Sequence, residues 1–342
     1  MSVAAIDGGA APTCFMHVPK TAGTSLRSAL EAALPRNSVA PPAMDPAVLG
    51  GFGELDLLRP EARRTIAATP SELDRLGRSA AIFGHFTLPN LLRHAPLERI
   101  ATVLREPRAR IVSHYLFLRF NAALRTLWEP AGIHKPAEAS LEDFLRDERA
   151  AYAADNCVCR MLLHGDKRIP PRGQIAEADV EPIAEEAWER LSRFGFVGFI
   201  EDPQAVWRGV GGHFGVELRP VRANVTGELE FPSGVPPVPP IGQESLVLLE
   251  RRSAGDSILY RRIVAAALGE AAVQKTEAAA FASALIGLGG YSATAAGWSQ
   301  LAIARAALDA VHRSRSWRYT EPLRRLGRRL GRRPGRRPAP GG

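Results

Sequence analysis

The chain has 342 residues, 46% of them hydrophobic and 23% charged, which places it among globular chains able to bury a substantial core. No uninterrupted apolar run of about 18 residues occurs, so no transmembrane helix is expected. The net charge of +8 is unevenly spread, because eleven arginines face a single acid, Glu321, between Arg313 and Arg337. Without that tail the chain is close to neutral.

In chain order, the apolar stretch Thr13-Cys-Phe-Met-His-Val18 reads as a first strand. Pro19 to Ser25 is a tight loop, and Leu26 to Leu34, with apolar residues at helical spacing and Pro35 as its stop, predicts a helix. A connection rich in proline and glycine (Ala40 to Ser79) leads to a second strand, Ala80 to His85. Ile100 to Leu104 predicts a third. It runs into Arg105-Glu-Pro107, and Pro107 suits the first turn of a helix over Arg108–Arg119.

Helices are predicted over Leu141–Arg146, Tyr152–Leu163 and Ile175–Phe194. A fourth strand over Gly195–Ile200 and a helix over Pro203–Phe214 follow. Residues 219–243 read as a long proline-rich surface loop. Helices resume over Glu244–Arg252, Asp256–Leu268 and Ala271–Leu288, with a further stretch over Trp298–Val311 before the tail. Short strands alternating with helices predict an α/β fold with a parallel sheet covered on both faces.

The loop from Lys20 to Ser25 joins the carboxyl end of a strand to the amino end of a helix. There, backbone N–H groups and the helix dipole favour an anion. Lys20 adds a mobile charge, Thr21, Thr24 and Ser25 add hydroxyl donors, and Gly23 allows close approach. The lysine precedes the glycine, unlike the order of the nucleotide-triphosphate loop. The third strand also ends in Arg105 where a triphosphatase would place an acid for magnesium.

The segment His17-Val-Pro-Lys-Thr-Ala-Gly-Thr-Ser-Leu26 resembles the 5′-phosphosulfate loop of sulfotransferases, in the branch that modifies carbohydrate hydroxyls and includes heparan sulfate 2-O-sulfotransferases. Leu104-Arg-Glu-Pro-Arg-Ala-Arg-Ile-Val-Ser113 is similar to that family's 3′-phosphate motif, an arginine at a strand end and a serine eight residues on. The likeness spans roughly residues 13 to 270.

The resemblance implies a central parallel sheet of the P-loop nucleotidase kind, flanked by helices on both faces. It also implies a donor, 3′-phosphoadenosine 5′-phosphosulfate (PAPS), held by Lys20, Thr21, Ala22, Gly23, Thr24, Ser25, Arg105 and Ser113, with no metal required. His85, in a Gly84-His-Phe86 context like the family's, becomes the general base, with Lys20 as its catalytic partner. His17 is the rival and His114 a weaker one. Asn156 and Arg160, four apart, resemble acceptor-side residues and are expected to meet a hydroxyl-bearing acceptor, a saccharide by resemblance.

Two other functions stay open: a kinase-like phosphoryl transferase, and a non-catalytic module binding a phosphoadenosine nucleotide. Residues 1–12 read as a flexible lead, 13–270 as the sulfotransferase domain, 271–312 as a helical extension and 313–342 as the tail. The tail suits an anionic membrane surface or polyanion without specific nucleic-acid recognition. Met1 to Ala11 lacks the pattern of a secretory signal, so a cytoplasmic location is expected, and Asn224-Val-Thr226 is then an idle glycosylation match. Cys14, Cys157 and Cys159 are odd in number and poorly spaced for zinc, which predicts packed thiols. The oligomeric state is not legible.

Overall fold

The computed structural model describes residues 11–49, 55–121, 126–129, 132–221, 238–239 and 241–289. Most of the proline-rich loop with its Asn224–Thr226 match, the Trp298–Val311 stretch and the arginine tail lie outside the described residues.

Strands β1 (Thr13–Met16), β2 (Ala81–Gly84), β3 (Ile100–Leu104) and β4 (Phe196–Phe199) form an all-parallel sheet in the order β2-β1-β3-β4. The chain is therefore α/β. Phe15 pairs with Phe83 on one side and Ala101 on the other, and Leu104 lies opposite Phe199. After β1 the chain moves to one neighbour, β2, and then crosses to the other side for β3. The carboxyl ends of β1 and β3 thus diverge at a topological switch point, where open parallel sheets bind their ligands.

Each strand alternates residues between two cores, as a pleated strand covered on both faces must. Phe15, Ala81, Phe83, Ala101 and Val103 pack with α1 (Gly23–Ala33) through Leu26 and Leu30. Cys14, Met16, Ile82, Ile100 and Leu104 pack on the opposite face with residues of the helices that follow β3. Phe15 and Phe83 stack with ring centroids 4.4 Å apart.

Helix α2 (Pro107–Phe120) starts with proline at its first turn, and the buried Glu106 carboxylate caps it by accepting from the Ala109 N–H at 2.7 Å. Helices α3 (Cys157–Leu162), α4 (Glu177–Leu191), α5 (Pro203–Phe214) and α6 (Gln243–Leu268) complete the layers. The helix over residues 270–289, read from sequence as the start of an extension, buries Ala284 and Leu288 in one core with Leu116 of α2. No helix among the described residues is long and apolar enough to cross a membrane. All three cysteines are buried free thiols, and burial pushes Cys14 up to about 12.

Two helix expectations need correction. The helix expected over Tyr152–Leu163 is interrupted, because Asn156 adopts a left-handed conformation with φ 45°. Its N–H donates to the Arg252 carbonyl, and its Oδ1 accepts from the N–H groups of Gly255 and Asp256. In return, the Asp256 carboxylate accepts from the Val158 and Cys159 N–H groups that open α3.

The expected break near Gly255 is absent, and α6 runs unbroken for 26 residues. A Cβ on Gly255 would sit 3.1 Å from Asn156 Oδ1 and 3.3 Å from Cys159 Sγ. Close packing here outweighs the roughly 1 kcal/mol that a helical glycine costs. Replacing Asp256 by Ala strands two buried amides, and urea denaturation is expected to show a loss of about 2–4 kcal/mol.

Candidate functional site

The loop between β1 and α1 carries two non-glycine residues in the left-handed region, Lys20 at φ 73° and Ala22 at φ 62°. Each costs on the order of 1–2 kcal/mol, and such strain persists only where the surroundings enforce it. Here Thr21 is buried and its hydroxyl donates to the Val18 carbonyl at 2.8 Å. That corrects its expected role, since this hydroxyl proton is spent inside the loop and not offered to a ligand. Ala22 has no side-chain oxygen to cap α1, so the helix start presents backbone at an exposed turn.

Gly23 is required for a reason different from the expected one. A Cβ there would fall 1.8 Å from Nε2 of His17, so the glycine makes room for an imidazole beneath the loop. Thr24 is exposed and Ser25 buried at the first turn of α1.

The Lys20 ammonium lies 3.9 Å from the centroid of the Phe117 ring. Burial, reinforced by the positive charge of Arg105, lowers its pKa from 10.5 to about 8. Arg105, at the tip of β3, directs Nη1 at the Lys20 carbonyl, 3.5 Å away. The two sequence motifs therefore adjoin.

Neither cation forms an ion pair among the described residues. The acid nearest in sequence, Glu106, accepts from Ala109 and from Arg108, and favours the charge of Arg105 only through space. Half-buried Glu201, just after β4, accepts from the Glu106 N–H and supports the charge of Arg105 from a distance. Half-buried cations without an ion pair favour an anion beside them. Ser113 is buried on α2, one turn before Phe117, hence on the face that meets Lys20. Arg110, buried one turn earlier, gives one Nη2 bond to the Ala153 carbonyl. Its Nε and Nη1 have no partner among the described residues.

His85 follows β2. Its Nδ1 is 2.8 Å from the His17 carbonyl, and a carbonyl can only accept. The proton therefore sits on Nδ1, and Nε2 keeps its lone pair. The His17 and His85 rings stack at 4.1 Å and 24°. Burial, aided by the charge of Lys20 and opposed by the bond to His17, lowers His85 to about 4. His17 and His114 are also pushed well below the ordinary range, chiefly by burial and then by neighbouring cationic groups. All three are neutral near pH 7.

Lys20, Gly23, Arg105, Ser113 and His85 thus share the diverging ends of β1, β2 and β3. Asn156 and Arg160 do not share the helical face expected of them. Asn156 stands at the left-handed entry to α3 with its amide engaged by Asp155, Gly255 and Asp256. The Arg160 guanidinium donates to Asp155, Pro170 and Gly173. Phe117, Arg110 and Glu201 are additions that sequence reasoning missed. Only Phe117 carried a local signal, its four-residue spacing from Ser113. No protein-family model matches the chain, and a search of the curated proteins gave no match either.

The three depressed histidines set a sign for stability. Their unfolded forms take up protons that the folded forms refuse, so the unfolded state gains as pH drops. The urea midpoint is expected to fall as pH goes from about 6.5 toward 4, and a midpoint flat over that window would contradict the burial of these imidazoles.

Proposed function

We propose that the chain is a sulfotransferase that moves the sulfuryl group of PAPS onto a hydroxyl. The observation that carries this reading is the meeting of Lys20 and Arg105 across the switch point, two half-buried cations on adjoining strand tips, neither in an ion pair among the described residues. A nucleotide with phosphate groups at both ends can engage both. The strand–loop–helix anion site on an inner strand of a parallel sheet supports a P-loop-like architecture, and the sequence resemblance points the same way.

The loop and helix α1 would receive the 5′-phosphosulfate. Arg105, with its planar fork, and Ser113 would receive the 3′-phosphate. When bound, the donor supplies the sulfuryl group and adenosine 3′,5′-bisphosphate as leaving group. His85 Nε2, already deprotonated at neutral pH, takes the proton of the acceptor hydroxyl as its oxygen bonds to sulfur. Lys20 moves from the Phe117 ring, a contact worth about 1–2 kcal/mol, to offset the charge on the departing phosphate oxygen. His17 fixes the tautomer of His85 through its carbonyl and the loop through its ring. The acceptor is proposed only as a hydroxyl, because Asn156 and Arg160, which the resemblance assigns to a saccharide, are committed within the fold.

Calorimetry is expected to show adenosine 3′,5′-bisphosphate binding that Arg105→Ala weakens, and an absence of binding to the intact chain would end this reading. His85→Ala and Lys20→Ala should each lower kcat by about two orders of magnitude or more. The pH profile of kcat/KM should rise through about 4 as His85 loses its proton and decline above about 8 as Lys20 loses its charge.

A further inference from the structure

The tip of β3 turns into α2 at one peptide unit, between Arg105 and Glu106, and that peptide is fastened from the neighbouring strand. Leu104 lies opposite Phe199, and the Ile200 N–H donates to the Leu104 carbonyl at 2.9 Å. The pairing therefore continues past β4 and brings the next residue, Glu201, to the turn. Its Oε1 accepts from the Glu106 N–H at 3.1 Å. An N–H held at that point fixes the backbone that aims Arg105 and the first turn of the helix that carries Ser113.

The second oxygen of Glu201 is unspent. Oε2 is buried and has no hydrogen-bond partner among the described residues. Burial lowers the Arg105 guanidinium, and Glu201 is the foremost group opposing that shift, ahead of Glu106. Glu106 has given one oxygen to Arg108 and the other to the Ala109 N–H. The uncommitted carboxylate oxygen at this turn, among the described residues, is thus that of Glu201.

Tyr260 on α6 backs Glu201 from the interior. It is fully buried, and its ring meets Phe199 edge-on at 6.0 Å. Its hydroxyl also has no direct partner among the described residues. Against burial, which raises Glu201, the Glu106 bond and then this hydroxyl favour the charged carboxylate. Burial, reinforced by Glu201, raises the phenol far above its ordinary range, so it stays a neutral donor.

We propose that Glu201 is a positioning residue for the Arg105 end of the site. It clamps the Arg105–Glu106 peptide through Oε1 and steadies the guanidinium by its charge, so that Arg105 and Ser113 meet one phosphate together. The phosphate role rests on the sulfuryl-transfer reading, in which this end receives the 3′-phosphate, whereas the clamp on Arg105 does not.

The test compares adenosine 3′,5′-bisphosphate with adenosine 5′-monophosphate, which lacks the 3′-phosphate, by calorimetry on the full chain. Wild type is expected to prefer the bisphosphate. Glu201→Ala should lower that preference at least about tenfold and Glu201→Gln about threefold, because the glutamine oxygen still accepts from the Glu106 N–H. Monophosphate affinity should stay within about twofold in both. In an Arg105→Ala background, Glu201→Ala should cost less than about threefold, since the two residues act on one contact. An unchanged preference in Glu201→Ala, a loss shared equally by the two nucleotides, or a loss that persists in full without Arg105 overturns the proposal.

A second measurement needs no nucleotide. Phenylglyoxal attacks a neutral guanidine, so labelling of Arg105 in the ligand-free chain, read by peptide mass spectrometry, should run at least about threefold faster in both variants. Arg93, paired with Asp74, serves as the reference. The melting temperature of Glu201→Gln should stay close to that of wild type, which separates lost positioning from lost folding. Faster Arg105 labelling in a chain that binds no bisphosphate, or shows no preference for it, removes the sulfuryl-transfer reading and upholds Glu201 as the clamp. Labelling at the wild-type rate in both variants overturns the clamp itself.

Discussion

Two positive side chains held at adjoining strand tips, neither in an ion pair among the described residues, form the constraint around which the rest of the site is arranged. Lowering the lysine from 10.5 to about 8 corresponds to a penalty on the order of 3 kcal/mol against its charged form. An aromatic face, that of Phe117, partly compensates that penalty. Glu106 is engaged by a helix start and by Arg108, so it supports Arg105 through space without a direct bond to it. A bound anion would offset that penalty.

The imidazole pair follows from the same economy of space. β1 and β2 pair in register up to Met16 and Gly84, which leaves the next residue of each strand, His17 and His85, side by side beyond the sheet. Their stacking excludes water, and the carbonyl of one orients the ring of the other. Gly23 then has to lack a side chain, because the space it would fill belongs to His17. Loop, base and glycine are one packing problem, and none of the three can change without the others.

The four strands were legible because each is a short, mainly apolar run bounded by proline, glycine or polar residues, and all four appear where they were expected. The anion loop and the Arg105–Ser113 segment were legible because their chemistry is local in sequence. What could not be read depends on tertiary neighbours. The cation–π contact of Lys20 needs a residue 97 positions away. The inward turn of the Thr21 hydroxyl follows from a backbone conformation that threonine does not announce. The continuity of α6 through Gly255 and the interruption at Asn156 are the same event seen from its two sides, since each makes room for the other across about 100 residues.

That last junction governs the order in which the molecule can be completed. Asn156 in its left-handed conformation bonds backbone groups between Arg252 and Asp256, and the Val158 and Cys159 amides of α3 find their acceptor in Asp256. During synthesis, then, the sheet and its first helices can assemble while the middle third of the chain still lacks its fastening. A nascent polypeptide that stops short of residue 256 has the anion loop and the Arg105 strand tip but not the clasp that sets the far wall. The late helix is a closing bolt, and the chain becomes a finished protein only once it has emerged and locked.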